Sequence, residues 1–211
     1  MKKYIAECTG TFGLVFCGTG AVVINEISGG IVTHVGIAIT FGLVVMAMIA
    51  AFGEISGAHL NPAVTLAFAI NGNFPVKEIL PFCISQLTGA FVASLSLWVL
   101  FPGSKLLGAT IPSGSGMQSF VLEIILTFLL VLVIIKMATG SKEQGMFAGV
   151  AIGSVVLLEA MFAGPISGAS MNPARSIAPA VVSGEIKQLW IYVVAPVTGA
   201  LLAIVIHKLT K

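Results

Sequence analysis

Charge is what this chain has least of. Of its 211 residues only 9% are Asp, Glu, Lys or Arg, ten basic against eight acidic. A water-soluble domain of this length carries about 25%, so a soluble globular fold is excluded. The basic residues are scattered and the net charge is +2, which leaves no electrostatic footprint for nucleic acid. Cysteine is nearly as scarce: Cys8, Cys17 and Cys83 all fall inside apolar runs, where they act as small hydrophobes rather than as a disulfide framework or metal cluster. No His-Glu-x-x-His motif and no nucleophile elbow occurs, so neither a metalloprotease nor a hydrolase site is encoded. No metal or cofactor is expected.

What is present is hydrocarbon. Apolar residues make up 57% of the chain and its mean hydropathy is +1.09. A helix needs about 20 apolar residues to cross a bilayer core of roughly 30 Å. Runs of that kind cover residues 4–24, 34–52, 79–101, 119–137, 147–163 and 189–207. Six crossings joined by short loops use up the chain, so a separate soluble domain does not fit. Met1-Lys2-Lys3 opens like a signal peptide, but the run behind it is long enough to span and lacks a small-residue cleavage site. It reads as a retained first helix. The separators near residues 26–30, 102–116 and 139–145 carry Gly, Ser, Asn or Pro and read as loops.

Two further stretches are too short to cross. Asn61-Pro62-Ala63 opens an apolar run to Ile70. Its Asn suits a helix N-cap, its Pro the first helical position, and Asn71-Gly72 a stop. Asn172-Pro173-Ala174 opens the second, which Pro179 is expected to interrupt and Ser183-Gly184 to end. Each would cover about half a bilayer. Irregular backbone is tolerated at membrane depth only where protein buries it or a water-filled cavity borders it, so two half-helices imply a pathway.

The surroundings of these stretches repeat. Residues 55–63 and 166–174 share seven of nine identities at a constant offset of 111. Glu7-x-x-x-Thr11-Phe12 matches Glu123-x-x-x-Thr127-Phe128, and Thr88-Gly89-Ala90 matches Thr198-Gly199-Ala200. The chain reads as one channel domain over 1–211, made of pseudo-repeats 1–105 and 106–211. Three spans per half force the second copy into the opposite orientation, an inverted repeat. Lys2, Lys3, Lys77, Lys142, Lys208 and Lys211 then fall on one side, against Lys105 and Lys187 on the other, which puts both termini in the cytoplasm.

In that arrangement each half-helix aims its positive end at the midplane. The capping Asn61 and Asn172 are expected to face each other with their amide N–H groups free, as donors to water or an alcohol. The same fields repel cations and break a proton wire. The loops leading in are rich in small residues, so the carbonyls of Gly57, Ala58, His59, Gly168 and Ser170 are expected to line a narrow track.

With these motifs the chain resembles the aquaporin or major intrinsic protein family over essentially its whole length. Residues 56–65 and 170–176 look like that family's two signature loops, and both Glu-x-x-x-Thr pairs fit. The resemblance implies an all-α membrane fold of six spanning helices and two re-entrant half-helices. It also implies a homotetramer in the cell membrane with one pore per subunit. It implies that Glu7 and Glu123 support the re-entrant loops, although intramembrane carboxylates also suit a proton relay. The family's constriction maps onto Phe41, Ala160, Ala169 and Arg175. Water-selective members carry His where this chain has Ala160, and a methyl there makes a wider, less polar aperture. Residues 162–171 look most like the plant nodulin-like branch, which passes glycerol and uncharged metalloid acids, whereas Ser176 stands where classical glycerol channels have Asp.

Glu54 and Glu159 depart from the pattern, where relatives show His and Asn respectively. Glu159 precedes a constriction position and points either to the pore mouth or to a helix neighbour. His34 is expected at a helix start near the outer interface, and His59 to contribute its carbonyl rather than its ring. The function expected is a passive channel for water and small neutral solutes. A water-selective pore is the alternative, and an ion-coupled transporter, which also uses broken helices, a remote one. The half-helix tips hold Asn, Pro and Ala but no carboxylate to bind a coupling ion.

Overall fold

A computed structural model describes residues 1–210; Lys211, counted above among the cytoplasmic lysines, lies outside the described residues. The nine helices among them are α1 (Lys2–Ile27), α2 (Thr33–Ser56), α3 (Pro62–Ile70), α4 (Ile79–Leu100), α5 (Gly116–Thr139), α6 (Lys142–Met146), α7 (Ala148–Ser167), α8 (Pro173–Ser183) and α9 (Ile191–Leu209). A single 3-10 turn, Val76–Glu78, leads into α4. The helices α1, α2, α4 with its leading turn, α5, α7 and α9 are long and apolar enough to cross a membrane. Each contains all but at most two residues of one of the six runs, because a chain in hydrocarbon has no water to satisfy its backbone and the helix satisfies it internally.

The short helices are set by their ends. The Asn61 side chain accepts from the Ala63 N–H and that of Asn172 from the Ala174 and Arg175 N–H groups, each followed by Pro at the first helical position. At nine and eleven residues, α3 and α8 are about 14 and 17 Å long. Two expectations need correction. Pro179 does not interrupt α8, which runs unbroken to Ser183 and stops at the left-handed Gly184; the proline withholds one donor, from the carbonyl four residues back, and buried packing around Ala178, Pro179 and Ala180 holds the turn. The separator at 139–145 is not all loop: it contains α6, closed by a capping box in which Ser141 accepts from the Gln144 N–H and Gln144 from the Ser141 N–H.

Helix α1 packs against α4 and α2, and α5 against α9 and α7; α2 and α7 cross between the two groups. The crossing is tight at Gly42 and Gly153. A Cβ on Gly42 would lie 2.7 Å from the Gly153 carbonyl oxygen, and one on Gly153 2.6 Å from that of Gly42, so only glycine lets these backbones touch. The half-helices α3 and α8 are enclosed by α4 and α9, whereas Leu43, Val99, Leu129, Leu158 and Phe162 point outward and exposed. A surface that apolar belongs against lipid.

Candidate functional site

The site begins where α2 and α7 end. Both stop at a glycine in the left-handed conformation, Gly57 and Gly168, each with φ of 86°. Ala58 and Leu60 follow with φ of 45° and 50°, and Ala169 and Met171 with 42° and 53°. Non-glycine residues in that region cost energy, so something outside the loop must hold them. What holds them is a fully buried carboxylate in each case. Glu7 accepts from the His59 N–H at 2.9 Å, the Leu60 N–H at 2.8 Å and the Ser56 hydroxyl at 2.7 Å. Glu123 accepts from the Ser170 N–H at 2.9 Å, the Met171 N–H at 2.9 Å and the Ser167 hydroxyl at 2.7 Å. With the loop N–H groups turned toward the carboxylates, the carbonyls face away from them. Gln86 adds a fourth bond to Glu7, at 2.8 Å.

The two loops meet at the helix tips. Asn61 Nδ2 donates to the Met171 carbonyl and Asn172 Nδ2 to the Leu60 carbonyl, both at 2.8 Å. Asn61 and Asn172 therefore face each other, but the expectation that both amide N–H groups stay free is corrected: one of the two on each Asn is spent on the opposite loop. The reason is the bend of the loops, which brings the carbonyl just before each Asn against the other cap. A second N–H remains on each amide.

On α8, one turn beyond Asn172, Arg175 is buried at 4% exposure. Its Nη1 donates to the Gly108 carbonyl at 2.7 Å, and its guanidinium lies 5.0 Å from the centre of the Phe41 ring. Cation–π contact and the carbonyl fix the charge in place. Phe41, Ala169 and Arg175 border a cavity of about 920 Å³ that also touches Asn61 and Asn172. Ala160 is buried but does not border it; on α7 the lining reaches Val156, one turn earlier. Ser176 bridges Thr110 at 2.8 Å and Ser170 at 2.6 Å, so the hydroxyl that stands in place of Asp ties the second loop to the segment before α5.

Glu54 is exposed and borders the cavity at its far end, beside Lys142 and Met146. Glu159 does not: it is 3% exposed, and its carboxylate has no hydrogen-bond partner among the described residues. His59 borders the cavity, but its ring is occupied, stacked on Phe68 at 4.7 Å with Nδ1 3.1 Å from the Thr65 hydroxyl. His34, in the first turn of α2, meets the Met161 carbonyl through Nε2. Pro165 has no N–H to offer that carbonyl, so His34 completes the helix beside Ala160.

Sequence reasoning missed Gly108 and Thr110, which sit in a segment read as a separator, and Tyr192, whose hydroxyl donates to the Ser167 carbonyl at 2.6 Å. A tyrosine inside an apolar run was the available signal, since a buried phenol demands an acceptor. The other two gave none.

The model of the family described as "Major intrinsic protein" matches residues 1–207. The chain is 51% identical to Aquaporin NIP1-1 of Zea mays over 201 residues, covering 95% of this chain and 71% of that protein. It is 43% identical to Nodulin-26 of Glycine max over 212 residues, covering 100% and 78%. Among solved structures it is similar to the aquaglyceroporin from Plasmodium falciparum, with a TM-score of 0.89, 26% identity, and coverage of 98% of this chain and 95% of that one.

Proposed function

Since this chain belongs to the major intrinsic protein family of membrane channels, we propose that it passes water and small neutral hydroxylated solutes, glycerol and uncharged metalloid acids such as arsenous or boric acid, while excluding ions and protons. The reciprocal bonds between Asn61 and the Met171 carbonyl and between Asn172 and the Leu60 carbonyl carry this reading. They support two positive helix ends, each worth about half an elementary charge, converging on one point. The remaining amide N–H on each Asn donates to a passing oxygen. A water that accepts from both cannot relay a proton, and a cation meets two like-signed ends.

At the constriction, Arg175 supplies donors and positive charge while Phe41 supplies an apolar wall. A polyol therefore threads with hydroxyls toward Arg175 and the loop carbonyls of Gly57, Ala58, His59, Gly168 and Ser170, and with carbons toward Phe41. The methyl of Ala169 leaves room for it, and the small Ala160 behind the lining adds no bulk there. Glu7 and Glu123 act as supports, holding the loop N–H groups so that the carbonyls serve the solute. The pseudo-repeats 1–105 and 106–211 lie inverted in the cell membrane, with both termini cytoplasmic as the lysine asymmetry indicates, and four subunits assemble through their apolar outer faces.

Stopped-flow measurements on reconstituted vesicles test this. Water, glycerol and arsenite are each expected to equilibrate faster than in empty vesicles, at rates indifferent to proton or sodium gradients. Vesicles that respond to a water gradient yet exclude glycerol, arsenite and boric acid alike would leave a water-selective pore instead. Gradient-dependent uptake would point to a coupled transporter.

A further inference from the structure

Phe41 is the aromatic member of the constriction, and the place its ring occupies is set from behind. Gly18, buried on α1, faces one edge of the ring: a Cβ there would lie 2.2 Å from Cε1, 2.6 Å from Cδ1 and 2.7 Å from Cζ. Carbon atoms settle at about 3.5 Å, so a methyl at this position requires the ring to withdraw by roughly 1.3 Å. The backbone of α2 has little room to yield in its place, because at its next residue, Gly42, helix α7 lies so close that even an added Cβ would stand 2.7 Å from the Gly153 carbonyl oxygen. The open side of the ring is the cavity, where the Arg175 guanidinium stands 5.0 Å from its centre.

We propose that Gly18 is a positioning residue for selectivity. By having no side chain it forms the notch into which Phe41 retracts, and so sets how far the ring projects into the aperture that it borders together with Arg175. The size limit of the channel is then written on α1, outside the four constriction residues. The inference rests on the reading of those residues as the constriction of a solute pore.

The test compares wild type, G18A, F41A and G18A/F41A in vesicles, with thermal midpoints in detergent recorded for each. G18A is expected to slow glycerol by roughly tenfold or more and water by less, because a narrower gap discriminates by size. G18A/F41A is expected to recover at least the wild-type glycerol rate, since trimming the ring removes the collision; F41L replaces F41A should that variant fail to fold. A folded G18A that passes glycerol at the wild-type rate overturns the proposal. So does a double variant as slow as G18A when F41A alone conducts, for the damage then lies in helix packing. If wild type passes water but no glycerol, the solute class proposed above falls, and Gly18 is judged on water: slowing in G18A with recovery in the double variant upholds it, and unchanged water rates overturn it.

Discussion

Replacing Glu123 by Gln changes one oxygen to an NH₂ group and removes a charge, with almost no change of volume. In the folded chain Oε1 accepts from Ser167 and Ser170 and Oε2 from Met171. In its better orientation the amide oxygen keeps the first two bonds, now neutral, at a loss of about 1 kcal/mol each. The new NH₂ meets the Met171 N–H donor to donor, and that buried N–H, left unsatisfied, costs about 1–3 kcal/mol. The sum is about 3–5 kcal/mol, borne by a loop whose Ala169 and Met171 already sit at positive φ. For a chain of this size that corresponds to a fall in thermal midpoint on the order of 10 °C. Scanning calorimetry in detergent reads the midpoint, and vesicle shrinkage reads the water rate, which is expected to fall with it. An E123Q protein that melts with wild type and either conducts normally or takes up solute in step with protons would refute the supporting role.

Three other substitutions follow from the same geometry. F41A removes the apolar wall and is expected to admit larger polyols such as erythritol several-fold faster, read by vesicle swelling; an unchanged size limit contradicts the placement of Phe41 at the narrowest point. R175V withdraws the fixed charge and leaves the Gly108 carbonyl without its donor, at about 1–3 kcal/mol. A proton or sodium leak, followed with entrapped dyes, is expected to rise by roughly an order of magnitude. Y192F deletes the hydroxyl on the Ser167 carbonyl and is expected to lower the thermal midpoint by roughly 2–8 °C for a loss of about 1–2 kcal/mol.

Elements governed by local chemistry were legible in the chain itself. The spanning helices follow from apolar length, and the starts of α3 and α8 from Asn-Pro, because a cap needs only the next three residues. What escaped depends on distant partners or on weak local rules. The amide N–H that each Asn spends across the site binds a residue more than 100 positions away. The Gly108 carbonyl beneath Arg175 and the notch at Gly18 are features of backbone position rather than residue type. The helix α6 was within reach, since Ser141-x-x-Gln144 is a capping box, but five residues with no apolar face offer no periodicity to notice. Pro179 misled for the opposite reason: the local rule against mid-helix proline yielded to burial.

The cross-bonding of the two caps also limits how such a pore can be regulated. Each tip completes its neighbour's backbone, so neither loop can retract without stranding a buried carbonyl in the other. The waist is thereby stitched shut against independent motion of its halves. Control over flow has to operate at the mouths, where Glu54, Lys142 and Met146 border open water and movement breaks nothing at the centre.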